Sequence, residues 1–271
     1  MAITKAEKAA YNDYIKEHKN TIEELNKKIK ENDAKKKSMP NVEGYLNLEN
    51  AIEILNIILT YIKMSDVSLE MLNVKNERFL DNARKELYKA IQTLEGIVGS
   101  DIDRTLKENE EYLQKIDRVN PRQILRIIQS VHHALLKVIE KMGEGSKWKW
   151  SFVDIYGRIA VITKNMTNFS DMQKYRDPRS DYYRERQELL ELCKKFLSDS
   201  AKQFRNRYEL STQVPSDIIK SIELLSALRK IHILFGESEE ATKLKNTIDA
   251  LRERLEADEK KSDAKKKKDK K

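Results

Sequence analysis

Apolar residues recur every three to four positions along most of this chain, with polar residues between them. That period predicts helices. The interruptions are equally regular. "SMPNVEG", Gly99, "NPRQ", Gly143 with Gly145, "STQVPSD" and Gly236 break the pattern with residues that end or start helices. Between these breaks the pattern predicts about nine helices, over 4–37, 46–64, 76–98, 101–118, 121–142, 147–166, 181–210, 216–235 and 238–260. Ser100 is the expected N-cap of the fourth, with Asp101 and Asp103 in its first turn, where acids complement the helix dipole. Asn120 is the cap of the fifth, ahead of Pro121 at the first helical position. The linkers are short, so successive helices should pack antiparallel.

The fold expected is therefore all-α: mostly antiparallel helices in an elongated bundle or irregular α-solenoid. Residues 1–40 form an N-terminal coiled-coil-like helix and 41–260 a helical body, with a sub-boundary near 167–180, where "NFSDMQKYRDPRSDYY" is the longest irregular stretch. Residues 261–271 read as a disordered, lysine-rich tail.

The terminal helices differ from the middle ones. Tyr11, Ile15, His18, Ile22, Leu25 and Ile29 alternate at spacings of four and three, as do Ala241, Leu244, Ile248, Leu251 and Leu255. Such a narrow seam suits a coiled coil. It could pack on the body, pair the two ends, or dock a partner helix or a second copy of the chain. The middle helices carry wider faces that read as core: Ile52, Leu55, Ile58 and Leu59; Ile124, Ile128, Val131 and Leu135; Ile218, Ile222, Leu225 and Ile231.

Composition sharpens this picture in two ways. Only 7 Gly and 4 Pro in 271 residues argue against β architectures. The net charge of +8 invites an anionic partner, yet residues 260–271 hold eight Lys and two Asp, so +6 of it sits in the tail and +2 in the other 259 residues. The N-terminus lacks the apolar core of a secretory signal, and "AIEILNIILTYI" is too short to span a bilayer. A lone cysteine, Cys193, excludes a disulfide framework. Together these point to the cytoplasm.

Candidate chemistry is thin. His132 and His133 are adjacent and project about 100° apart on a helix, His18 sits in the first seam, and His232 lies beside an apolar face. No HExxH is present, so no metal site is expected. Cys193 shares a stripe with Leu189, Phe196 and Leu197 and reads as a packing thiol. No glycine-rich phosphate loop occurs, and no carboxylates stand out as an acid–base pair, so neither a cofactor nor an enzymatic activity is expected.

One region stands apart. Residues 148–208 hold 11 of the 19 aromatics, and residues 146–210 carry 14 Lys and Arg against 9 Asp and Glu. Trp148 and Trp150 fall about 200° apart on a helix capped by Ser146, so they read as core rather than as one aromatic platform. Gly157 on that helix would permit a close helix approach, and Asp154, Arg158 and Asn165 form its narrow polar stripe. The stronger surface is "KYRDPRSDYYRER", residues 174–186. Arginine forks suit carboxylate and phosphate, so partner binding is expected at Tyr175, Arg176, Arg179, Tyr183, Arg184 and Arg186. The leading functional reading is a non-enzymatic scaffold or adaptor acting through protein–protein contact. The alternative is nucleic-acid binding by residues 146–210 with the lysine tail.

Overall fold

Ten α-helices and no strand make up the described residues of the computed structural model, which are 4–143 and 145–268, with side chains for all of these except 106, 107, 259 and 261–268. In chain order they are α1 (Lys5–Ser38), α2 (Glu43–Leu72), α3 (Glu77–Val98), α4 (Leu106–Leu113) and α5 (Pro121–Met142). Then follow α6 (Ser151–Met166), α7 (Phe169–Lys174), α8 (Tyr183–Arg207), α9 (Pro215–Leu234) and α10 (Ser238–Lys268). The all-α expectation holds. No helix is long and apolar enough to cross a membrane among the described residues.

The wide apolar faces meet in one core. Leu87, Ile91 and Leu94 of α3, Leu135 of α5, Ile155 of α6 and Leu197 of α8 are fully buried. Each such side chain contributes roughly 2 kcal/mol of transfer free energy. The apolar cluster is continuous from Leu48 to Leu251 and crosses residues 167–180 through Phe169 and Met172. Gly157 of α6 faces α8, and a Cβ there would sit 2.6 Å from the Phe204 ring, so the helices approach as closely as the sequence suggested.

Both terminal seams are occupied within the chain. Ile15, Ile22 and Leu25 of α1 pack on Ile57 and Met64 of α2. Tyr11 Oη lies 2.8 Å from Ser68 Oγ, and Asn32 Nδ2 donates to Asn50 Oδ1 at 3.0 Å, which pins the antiparallel register at both ends. On α10, Ala241, Ile248 and Leu251 are buried where it lies along α9. These residues are therefore not free to pair with a second copy of the chain. α10 runs to Lys268 instead of ending near 260, and the side chains of 261–271, where a disordered tail was expected, lie outside the described residues.

Five local expectations fail, each for a tertiary or turn-level reason. The second helix does not stop at 64: α2 runs on to Leu72 and ends where Asn73 takes φ +51°. The fourth helix does not start at 101. Gly99 takes φ +71°, Asp101 Oδ1 accepts the backbone N–H of Asp103 at 2.9 Å, and the resulting turn displaces the first helical turn. α4 begins instead at Leu106, where Thr105 and Glu108 form a capping box. α6 begins at Ser151, not 147, because Ser146 Oγ caps a tight turn by accepting from Trp148 N at 3.2 Å. The expected helix over 181–210 starts at Tyr183 and gives way to a π-turn at Tyr208–Thr212. The core assignment of Ile52 and Leu59 is also wrong: they are 45% and 37% exposed.

Candidate functional site

The loop of residues 175–182 joins α7 to α8, and its shape is fixed by its own side chains. Asp177 Oδ1 accepts the backbone N–H of Arg179 at 2.9 Å, while its carbonyl accepts Ser180 N at 2.8 Å. That backbone bond, then the Arg179 guanidinium at 3.2 Å, holds the Asp177 carboxyl below the usual range. Tyr182 adopts φ +59°, a left-handed conformation that is strained for a bulky side chain. Its carbonyl accepts Arg186 N at 3.0 Å and so opens α8. Arg122 of α5 braces the corner: its guanidinium carbon lies 5.6 Å from the Tyr182 ring centre, and its Nε donates to Glu185 Oε1 at 2.7 Å. That bond holds the Glu185 carboxyl low.

The six expected partner-binding residues do not share one environment. Tyr175, Arg176, Arg179 and Arg184 are exposed, and Tyr183 is half-buried. Arg186 is only 8% exposed. It turns inward, donating from Nη1 to the Asp181 carbonyl at 2.5 Å, with its guanidinium carbon 4.6 Å from the Tyr175 ring centre. It supports Tyr175 from beneath and offers no fork to an outside ligand. Arg179 is engaged by Asp177, whereas Arg176 and Arg184 join none of the ion pairs among the described residues.

The aromatics of 148–208 mostly face inward. Phe152, Phe169, Phe196, Phe204 and Tyr208 are buried, and of the eleven only Tyr175 reaches the exposed range. Trp148 and Trp150 are half-buried against the core, so neither is fully enclosed. The Arg84 guanidinium lies 3.8 Å from the Trp148 ring centre, and Trp150 lines a separate groove with Tyr156 and Leu210. They form no common platform, but the cause is a turn and not helical spacing.

Two polar centres lie inside the fold where sequence reasoning did not place them. Arg207 is 9% exposed and bonds Asp217 of α9 and Asp154 of α6, with Nε to Asp217 Oδ2 at 3.0 Å and Nη1 to Asp154 Oδ2 at 2.9 Å. Asp154 therefore does not pair with Arg158, which instead holds Glu95 of α3 at 2.8 Å. The signal was present: Arg207 continues the apolar stripe of Cys193, Leu197, Ser200 and Phe204. The second centre is Asn165, fully buried, whose Nδ2 donates to the carbonyls of Gly99 at 3.3 Å and Asp101 at 3.0 Å. It fastens the α3–α4 loop. Beside it, burial pushes the Lys164 amine down to about 8, against Cys193 and Asp101. Burial likewise pushes the Cys193 thiol up to about 12, so it is no thiolate at neutral pH.

His132 is half-buried, its ring 4.5 Å from that of Phe196, and burial lowers its pKa. No group of three His, Cys, Asp or Glu is placed to hold a metal among the described residues.

The profile of the TP0443 family matches residues 7–259, nearly the whole chain. The chain belongs to the TP0443 family. The family's description names no activity. No curated protein matches this family member in sequence. One solved structure, reported as "Computational Design of Self-Assembling Cyclic Protein Homooligomers", is 14% identical, covers 93% of this chain and 95% of its own, and superposes with a TM-score of 0.27.

Proposed function

We propose that this TP0443-family protein is a non-enzymatic helical scaffold that binds a protein partner through the arginine loop between α7 and α8. The observation that carries this reading is the constrained loop itself. Arg176 on the loop and Arg184 on the first turn of α8 are exposed and join no ion pair among the described residues, on a segment whose shape is set by the Asp177 turn and the left-handed Tyr182. A preorganised loop loses little conformational entropy on binding, and arginine forks fit carboxylates on a partner. Nucleic-acid binding is less well supported. Base stacking needs exposed rings, and Tyr175 alone is exposed, with Arg186 already against it.

The test compares the full chain with the variant Arg176→Ala, Arg179→Ala, Arg184→Ala in pull-downs from native cells, alongside thermal melting. Loss of specific partners with an unchanged melting temperature is expected. Retention of every partner removes the proposal. A shift of single-stranded RNA that weakens steeply with salt and disappears in the variant would favour the nucleic-acid reading instead.

A further inference from the structure

A cavity of about 110 Å³ lies between α5, α7 and α8. Its wall is largely apolar: Ile116, Ile124, Met166, Met172 and Leu189 line it, and all five are buried. Three charged side chains interrupt that wall: Arg186 of α8, Asp171 of α7 and Asp117 ahead of α5. Asp117 is exposed and accepts from Tyr45 Oη at 2.5 Å, so it marks the mouth. Asp171 is half-buried in the first turn of α7, where Asn168 Oδ1 accepts its backbone N–H at 3.0 Å.

The two inner charges do not pair with each other. Arg186 is 8% exposed and joins no ion pair among the described residues. Its Nη1 is taken by the Asp181 carbonyl, and its buried Nε finds no hydrogen-bond partner. The Asp171 carboxylate likewise joins no ion pair and accepts no hydrogen bond among the described residues. Buried charges are ordinarily paired or hydrogen-bonded. A cation and an anion that line one cavity without meeting point to a ligand that fits between them. A bare anion would meet Arg186 but also two carboxylates. A metal ion would meet the carboxylates but also Arg186, and no group of three His, Cys, Asp or Glu is placed to hold one among the described residues. A molecule that carries both charges meets each with its opposite.

We propose that this cavity binds a small free amino acid as its zwitterion. The carboxylate accepts from Arg186, and the ammonium donates to Asp171, with Asp117 adding negative charge at the mouth. The ligand's side chain lies on the apolar wall. A closed apolar cavity of about 150 Å³ takes up benzene, so one of about 110 Å³ has room for roughly four to six heavy atoms, as in glycine or alanine. The proposal goes beyond the arginine-loop reading. Arg186 is turned away from that surface, and Arg176, Arg179 and Arg184 do not line the cavity.

The experiment is isothermal titration calorimetry of the full chain with glycine and alanine, and with two truncated forms of alanine: propionate, which lacks the ammonium, and ethylamine, which lacks the carboxylate. Glycine or alanine is expected to bind with a Kd of about 1 mM or tighter, which so few heavy atoms can supply. Propionate and ethylamine should each bind at least about tenfold more weakly, because each leaves one charge of the cavity unmet. Asp171→Asn should weaken amino-acid binding about tenfold or more with an unchanged melting temperature, since its carboxylate holds no other group. Arg186→Gln should weaken binding as well; if loss of the Asp181 contact unfolds it, Asp171→Asn carries the test. Propionate or ethylamine binding as tightly as alanine, no binding of glycine or alanine up to about 10 mM, or full binding by Asp171→Asn overturns the proposal. The variant Arg176→Ala, Arg179→Ala, Arg184→Ala should bind as the wild type does. Loss of binding there would move the site to the arginine loop and overturn the cavity assignment.

Discussion

Arg207 and Asp217 face each other as a two-point ion pair, Nε to Oδ2 at 3.0 Å and Nη2 to Oδ1 beside it, with both residues less than a tenth exposed. Thr212 Oγ1 adds a bond to Asp217 Oδ2 at 2.6 Å, and Arg207 Nη1 reaches back to the Trp150 carbonyl at 3.0 Å. One guanidinium at the end of α8 thus ties α6 to α9, and the π-turn joins through the Thr212 bond to Asp217. Arg207→Met leaves Asp217 buried without a counter-charge, which should cost about 3–5 kcal/mol in urea unfolding. Asp154→Asn should cost less, since that side chain is 38% exposed.

The same centre contributes to acid sensitivity. Burial alone would raise the Asp154 pKa, but Arg207 and Lys220 outweigh it and hold the carboxyl below its ordinary range. Its stabilising contribution is therefore present above the unfolded carboxylate pKa of about 4 and is lost as pH falls through the lower folded value. Asp154→Asn should show a shallower loss of stability than the wild type between about pH 5 and pH 2, read by circular dichroism.

Lys164 works in the opposite direction. Its amine is pushed down to about 8 in the fold, so above that value the unfolded chain holds the extra proton. This group adds stability as pH rises from about 8 toward the free-lysine value near 10.4. Lys164→Met should therefore raise stability at pH 7 by about 1–2 kcal/mol and flatten the pH dependence between 8 and 10. Urea midpoints at pH 7 and 9.5 for both proteins decide this.

Asn165→Ala should leave the Gly99 and Asp101 carbonyls without their donor, at a cost of about 1–3 kcal/mol. Hydrogen exchange should then speed up over residues 99–105 more than elsewhere. If exchange rises evenly across the protein, Asn165 is not a local fastener.

Gly157→Leu should destabilise the fold by about 1–3 kcal/mol or more, because even a Cβ would sit 2.6 Å from the Phe204 ring. Gly145→Leu, with no atom within 4 Å of a Cβ, is the matched control and should change the melting temperature little.

Much of this architecture was legible because helix signals are local. The start of α5 at Pro121 behind an Asn120 cap and the end of α3 before Gly99 needed no tertiary information. Where two local signals compete, the reading fails. Ser100 with Asp101 could nucleate a helix or a turn, and Asn165, 64 residues away from Asp101, selects the turn by binding its carbonyl. The arginine loop was legible as a composition, but the inward turn of Arg186 depends on Tyr175 and the Asp181 carbonyl.

The sequence by itself determined that this chain is helical, where most of its helices break, and that Gly157 permits a close helix approach. These follow from periodicity and from backbone preferences that act over a few residues. Only the tertiary structure decided which neighbour covers each face. An amphipathic stripe says that a surface is apolar but not that anything lies against it. α2 is apolar on several sides; α1, α3 and α5 cover most of them and leave Ile52 and Leu59 open. A cation on an apolar stripe is equally ambiguous until its partners arrive from distant segments, as Asp154 and Asp217 do for Arg207.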